Sequence, residues 1–179
     1  MKTLIKKNKP VITFLAIFLS SYILLSLLYH FFLNTVNSPD FFTKSVSEQV
    51  ISLLNLIDYE TNSITDTSKG TINLFMKERN IAFIAEGCNA ISIMILFVSF
   101  VFSFTKRIKP TLLFVAIGLI IIHLANIFRI VILIICLHHY PEYSEYLHSY
   151  IFPAMIYGVV FLLWMFWVNS FKKVNPSDL

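Results

Sequence analysis

The sequence predicts an all-α integral membrane protein: four transmembrane helices with an outer amphipathic helix, both termini cytoplasmic. Three observations carry that expectation. The first is composition: 57% of the 179 residues are hydrophobic and 13% charged, with a mean hydropathy of +0.76. A soluble domain carries about 25% charge and could not bury this surplus of apolar surface, so the surplus belongs against lipid. The second is length, because four stretches reach the roughly 20 apolar residues that a helix needs to cross a hydrocarbon core. The third is the distribution of Lys and Arg, which favours the same side of the membrane at every loop. The formal charge of +4 is ordinary for a chain with basic cytoplasmic flanks, and nothing in the sequence suggests nucleic-acid binding.

The whole chain reads as a single membrane domain, residues 1–179. Its first span, about 11–33, is apolar throughout apart from hydroxyls such as Ser20 and Ser21. It is too long for the apolar region of a cleaved signal peptide and reads as a retained anchor. Further spans are expected over about 87–105, 111–137 and 150–171, the third carrying one charge, Arg129. Helices are the expected state, since backbone polar groups in lipid must be satisfied within the segment. Lys2, Lys6, Lys7 and Lys9 precede the first span, Lys106, Arg107 and Lys109 separate the second and third, and Lys172 and Lys173 follow the fourth. The 138–149 loop has no Lys or Arg, and segment 34–86 carries seven acids against four basic residues. Those two segments are therefore expected outside. Within 34–86, Phe42, Val46, Val50, Leu53, Leu54 and Ile57 recur at helical spacing, with Ser38 and Pro39 placed to start a helix lying on the outer membrane surface, apolar stripe down. Residues 61–70 are polar and read as a loop. Beyond them, alternation of Ile72, Leu74 and Met76 with Ile81, Phe83 and Ala85 permits a hairpin, and an early start of the second span near Ile81 competes with it.

Depth brings three chemically useful residues together. Counting outward from each basic flank at about 1.5 Å per residue, Cys88 lies about 26 Å up, Arg129 about 27 Å and His148 about 36 Å. A thiol, a guanidinium and an imidazole thus come from three different spans to the outer boundary of a core about 30 Å thick. Each alone has an ordinary explanation: Arg129 snorkels to headgroups, Cys88 is an inert apolar thiol, His148 is a surface imidazole. Together they suit covalent catalysis. The thiolate is the nucleophilic form of cysteine and a nearby cation favours it. Arg129 can hold the oxyanion of a tetrahedral intermediate, and His148 can protonate the leaving amine.

The segments Gly87-Cys88-Asn89-Ala90-Ile91-Ser92 and Asn126-Ile127-Phe128-Arg129-Ile130, with His148 leading into Ile151-Phe152-Pro153, resemble the exosortase/archaeosortase family, and most of all the exosortase F type of Bacteroidetes. The resemblance covers about residues 80–165. It implies a membrane-embedded cysteine transpeptidase or protease with Cys88, Arg129 and His148 as the catalytic set. It also implies exported protein substrates whose C-terminal signal joins a short motif, one membrane helix and a basic tail, cut at the outer face of a bacterial cytoplasmic membrane. No cofactor is implied. One departure is visible: the family pattern has Gly two residues after the cysteine, where this chain has Ala90. Asn126, on the same helical face as Arg129, is a candidate to orient the guanidinium, and Ser92, one turn below Cys88, to line the site; helix packing is the competing role for both.

Two further readings compete. A Cys88–Cys136 disulfide would disable the nucleophile in an oxidising compartment. A non-catalytic membrane subunit is the other, either the scaffold of an export system, though the repeats and interrupted helices usual in transporters are not evident, or a haem or metal anchor that would use the histidines. However, His123 has no His at its depth on another span, His30 lies near the outer rim, and no Cys or acidic spacing supports a metal site at His138, His139 and His148.

Overall fold

A computed structural model of the chain, which describes residues 8–36, 38–105 and 107–172, has five main helices and one small sheet among those residues. Helix α1 (Lys9–Thr35) begins with Pro10 in its first turn, where a missing N–H costs nothing. It buries none of its side chains fully and offers a nearly unbroken apolar surface to lipid. Helix α2 (Phe41–Leu56) is capped by Asp40, whose Oδ1 accepts from the Phe42 and Thr43 amides at 2.6 and 3.0 Å. Helix α3 (Ile91–Ser103) follows the sheet. After it come α4 (Ile108–His139), a continuous helical passage of mixed pitch over 141–151, and α5 (Phe152–Lys172).

Three helical stretches are long and apolar enough to cross a membrane: α1, α4 and Pro141–Ser170. The expected second span is shorter than its sequence suggested. Residues 86–90 form turns, so α3 keeps 13 residues, about 20 Å of rise. It nevertheless packs within the bundle. Phe14 of α1 stacks near Phe104 with centroids 4.6 Å apart, Phe100 stacks on Trp164 of α5 at 4.3 Å, and the Phe97 ring fills the space a Cβ on Gly118 would need. That glycine lets α3 and α4 approach closely, the usual device of apolar helix packing. Lys2, Lys6, Lys7, Lys106 and Lys173, on which the expected orientation draws, lie outside the described residues.

The all-α expectation is corrected by a three-stranded antiparallel sheet, β1 (Thr61–Asp66), β2 (Thr71–Met76) and β3 (Arg79–Ala85), in that order. The competing early helix start near Ile81 is not what forms. β2 and β3 make the hairpin instead, turning through Lys77 and Glu78, both at positive φ as a two-residue turn requires. Strand β1 replaces the first six residues of the expected 61–70 loop, and residues 67–70 remain a turn. It is an edge strand with most of both faces exposed, so it has no apolar alternation to betray it. In β2 the alternation is regular, with Ile72, Leu74 and Met76 all buried.

The α2 stripe is also corrected. Val46, Val50 and Leu54 are fully covered, not by lipid but by the sheet residues Ile72, Leu74, Met76 and Ile84 and by Ile127, Ile130 and Ile134 of α4. Phe42 and Ile57, at the ends of the predicted stripe, stay partly exposed. A helix that must cover one face of a sheet cannot lay the same face on a membrane. His123 reaches across from α4 to Gln49 of α2 at 2.9 Å, which gives that mid-helix imidazole a partner.

Candidate active site

Cys88 lies in the connection between β3 and α3, and the sequence holds that connection at several points. The Cys88 amide donates to Ala85 O at 2.9 Å, continuing the strand into a turn. Asn89 Oδ1 accepts from the Ile91 amide at 3.0 Å, serving one of the free N–H groups that begin α3. Ala90 adopts a left-handed backbone, φ 62°. That is a conformation glycine takes at no cost and an L-residue takes at about 1–2 kcal/mol, so the family-pattern glycine at this position answers a backbone requirement rather than close packing alone.

Behind the turn lies a buried polar cluster that sequence reasoning missed. The Asn89 amide donates to the Tyr29 hydroxyl of α1 at 2.8 Å and stands 3.3 Å from both Asp40 Oδ2 and Thr43 Oγ1 of α2. Thr43 donates in turn to Asp40 Oδ2 at 2.8 Å. Asp40, Thr43 and Asn89 are all buried, and buried polar groups hold their place only when paired. A signal was present in the sequence. Asp40 followed three residues later by Thr43 opens an amphipathic run, the pattern of a helix N-terminus, and it sits one residue past the Ser38-Pro39 start that was expected.

Asn126 does not orient the guanidinium. Its Nδ2 donates to the Cys88 carbonyl at 2.8 Å, so this buried side chain pins the cysteine's own peptide to α4. The reason is geometric: Asn126 is three residues before Arg129 and faces inward, while Arg129 is only half buried. Ser92 is exposed on the first turn of α3 and is not among the residues lining the cleft. Cys88 and Cys136 are both free thiols, so the competing disulfide is not formed.

Cys88, Arg129 and His148 line one cleft of about 550 Å³ between β3, α4 and the 144–149 turns. The Arg129 Nε is buried with no hydrogen-bond partner, and among the described residues Arg129 makes no ion pair. That nitrogen shares the cleft wall with Ile130, Leu133 and Ile134, an apolar setting in which an unpaired polar group is costly. His148 is exposed and sits on a π-helical turn, Leu147–Ile151, a departure from α pitch often found at functional sites. Glu145, one turn earlier, lines the same cleft and was not foreseen. His138 and His139 turn away toward Tyr59, whose hydroxyl lies 2.9 Å from His139 Nε2. A thiol, an unpaired cation and a solvent-accessible imidazole in one cleft have the donors and acceptors that acyl transfer needs.

Comparison with known proteins bears on the family of the chain. No curated protein and no solved structure matches the chain. The family model described as transmembrane exosortase (Exosortase_EpsH) matches residues 10–169, a stretch that takes in the helices, the sheet and all three residues on the cleft. The chain therefore belongs to the transmembrane exosortase family.

Proposed function

We propose that this protein is a membrane-embedded cysteine transpeptidase or protease that cleaves the C-terminal sorting signal of exported proteins at the outer face of the bacterial cytoplasmic membrane. One observation carries the reading: Cys88, Arg129 and His148, drawn from three separate segments, line a single cleft. The Cys88 thiol passes its proton to His148 as its sulfur attacks the scissile carbonyl, and the carbon–oxygen double bond opens to an oxyanion. Arg129 offers two parallel N–H donors to that charge, which a desolvated wall makes worth more than it would be in water. His148 gives its proton to the leaving amine as the carbon–nitrogen bond breaks, leaving a thioester on Cys88. An acceptor amine or water then attacks the thioester and returns the free thiol. The buried Asn126 supports this scheme as a positioning residue, since it fixes the peptide that carries the nucleophile. Substrates are exported chains with a short motif, one membrane helix and a basic tail. The Lys and Arg distribution supports cytoplasmic termini with the cleft facing out.

The test is processing of a co-expressed exported substrate. Cys88→Ala is expected to abolish it and Cys136→Ala to leave most of it. The reverse pattern transfers the nucleophile to Cys136 and overturns the assignment.

A further inference from the structure

Strand β3 is an edge of the sheet, with β2 as its one strand partner. Side chains of a strand point alternately to opposite faces, so a cavity lying on one face touches every second residue. The cleft is lined instead by six consecutive residues, 80–85. It therefore runs along the strand's unpaired side, where alternate residues present backbone N–H and C=O groups with no ladder partner. Proteins ordinarily blunt such an edge with charge, proline or a covering element, because it is a ready template for another strand. Here the segment 81–85 carries no charge and no proline, and Phe83 is 65% exposed. Cys88, three residues past the strand, lines the same cleft together with Arg129 and His148. A helix satisfies its own backbone and gains nothing from an open edge, whereas an extended chain gains a hydrogen bond at every second residue.

We infer that β3 receives the substrate as an extended polypeptide, added to the sheet as a fourth strand, which carries the scissile carbonyl to Cys88. This rests on the cysteine-peptidase reading above and adds to it the substrate's conformation: the segment around the cleaved bond is unwound, and main-chain pairing rather than side-chain contact supplies its register. Leu133 and Leu137 of α4 line the same cleft and offer apolar contact to side chains of the bound strand, beside Arg129.

The experiment uses the full chain with Cys136→Ala, purified in detergent, and a tetrapeptide of alternating Ala and Val ending in a chloromethyl ketone. Its backbone amides are N-methylated one at a time, and Cys88 alkylation is followed by intact mass. Each blocked main-chain bond is expected to slow alkylation about threefold to tenfold, the net worth of one hydrogen bond. The losses fall at alternate positions, with the interleaved positions within about twofold of the parent. A flat profile, equal losses at every position, or a peptide no faster than chloroacetamide overturns the inference. A second arm isolates the parent reading by measuring iodoacetamide alkylation of Cys88 in the same protein and with Arg129→Ala or His148→Ala added. Unchanged rates there sink the cysteine-peptidase assignment, while an alternating profile with the peptides still reports strand addition.

Discussion

Asn126→Leu separates positioning of the nucleophile from stability of the fold, and the magnitudes can be worked from the contacts. The substitution removes the Nδ2 donor 2.8 Å from the Cys88 carbonyl and leaves that acceptor unpaired in a part-buried setting, toward the lower end of about 1–3 kcal/mol. It also removes Asn126 Oδ1, which is itself buried without a partner and already costs the native protein a similar amount, about 1–3 kcal/mol. The two terms oppose each other, and leucine is close enough in size to fill the site. Global stability should therefore move by less than about 1.5 kcal/mol, or about 5 °C in melting temperature for a chain of this length. The peptide carrying Cys88, in contrast, loses its one side-chain tether to α4. A displacement of about 1 Å at a reacting atom costs about 10²-fold, so processing of a co-expressed substrate should fall by about 10- to 100-fold. The assay pairs substrate cleavage at matched membrane levels with thermal unfolding followed through the fluorescence of Trp164 and Trp167. Normal cleavage by the leucine variant refutes the positioning role. Cleavage lost together with a collapse in melting temperature shows instead that Asn126 simply holds helices together.

Arg129→Lys keeps the charge but gives up the planar pair of donors, and cleavage is expected to drop about 10²–10³-fold; near-normal cleavage removes Arg129 from the catalytic set. Ala90→Gly relieves a left-handed backbone worth about 1–2 kcal/mol but loses a buried methyl of about 0.8 kcal/mol and adds chain entropy, so the melting temperature should stay within a few degrees. Ala90→Val puts a β-branched side chain at the same positive φ and should destabilise by more than about 2 kcal/mol; a native melting temperature for the valine variant shows that the turn does not hold that conformation. A membrane-impermeant maleimide applied to intact cells is expected to label Cys88 and Cys136, and labelling only after permeabilisation reverses the proposed orientation.

The long apolar elements were legible because lipid imposes one rule on every residue of a span, so α1 and α4 fall within a few residues of their expected limits. The three cleft residues were legible for a related reason, since counting along a rigid helix converts sequence position into depth. That conversion failed at Cys88 in detail: the helix behind it begins at Ile91, and the cysteine is held by a turn rather than by helical rise. The sheet was only half visible. Ile72, Leu74 and Met76 alternate because one face is buried, whereas β1 is polar but for the exposed Ile64 and Lys77-Glu78 is an unusual pair for a tight turn. The roles of Asn126 and Asn89 could not be read at all, because an amide's partner depends on which backbone passes 3 Å away, and that is settled by tertiary packing.

The hydrogen bond between Asn89 and Tyr29 changes what the first helix is for. An anchor is interchangeable, since any apolar helix of the right length tethers a protein to a bilayer. This one is keyed. Tyr29 supplies the 2.8 Å contact to the residue next to the nucleophile, and the start of the helix that follows supplies two more acceptors to the same cluster, Asp40 Oδ2 and Thr43 Oγ1. Swapping the first helix for a foreign span would preserve insertion and strip the cysteine turn of a support from behind. During synthesis the order runs the other way. Some sixty residues separate Tyr29 from Asn89, so the first helix must wait in the bilayer, uncommitted, until the turn emerges and locks onto it.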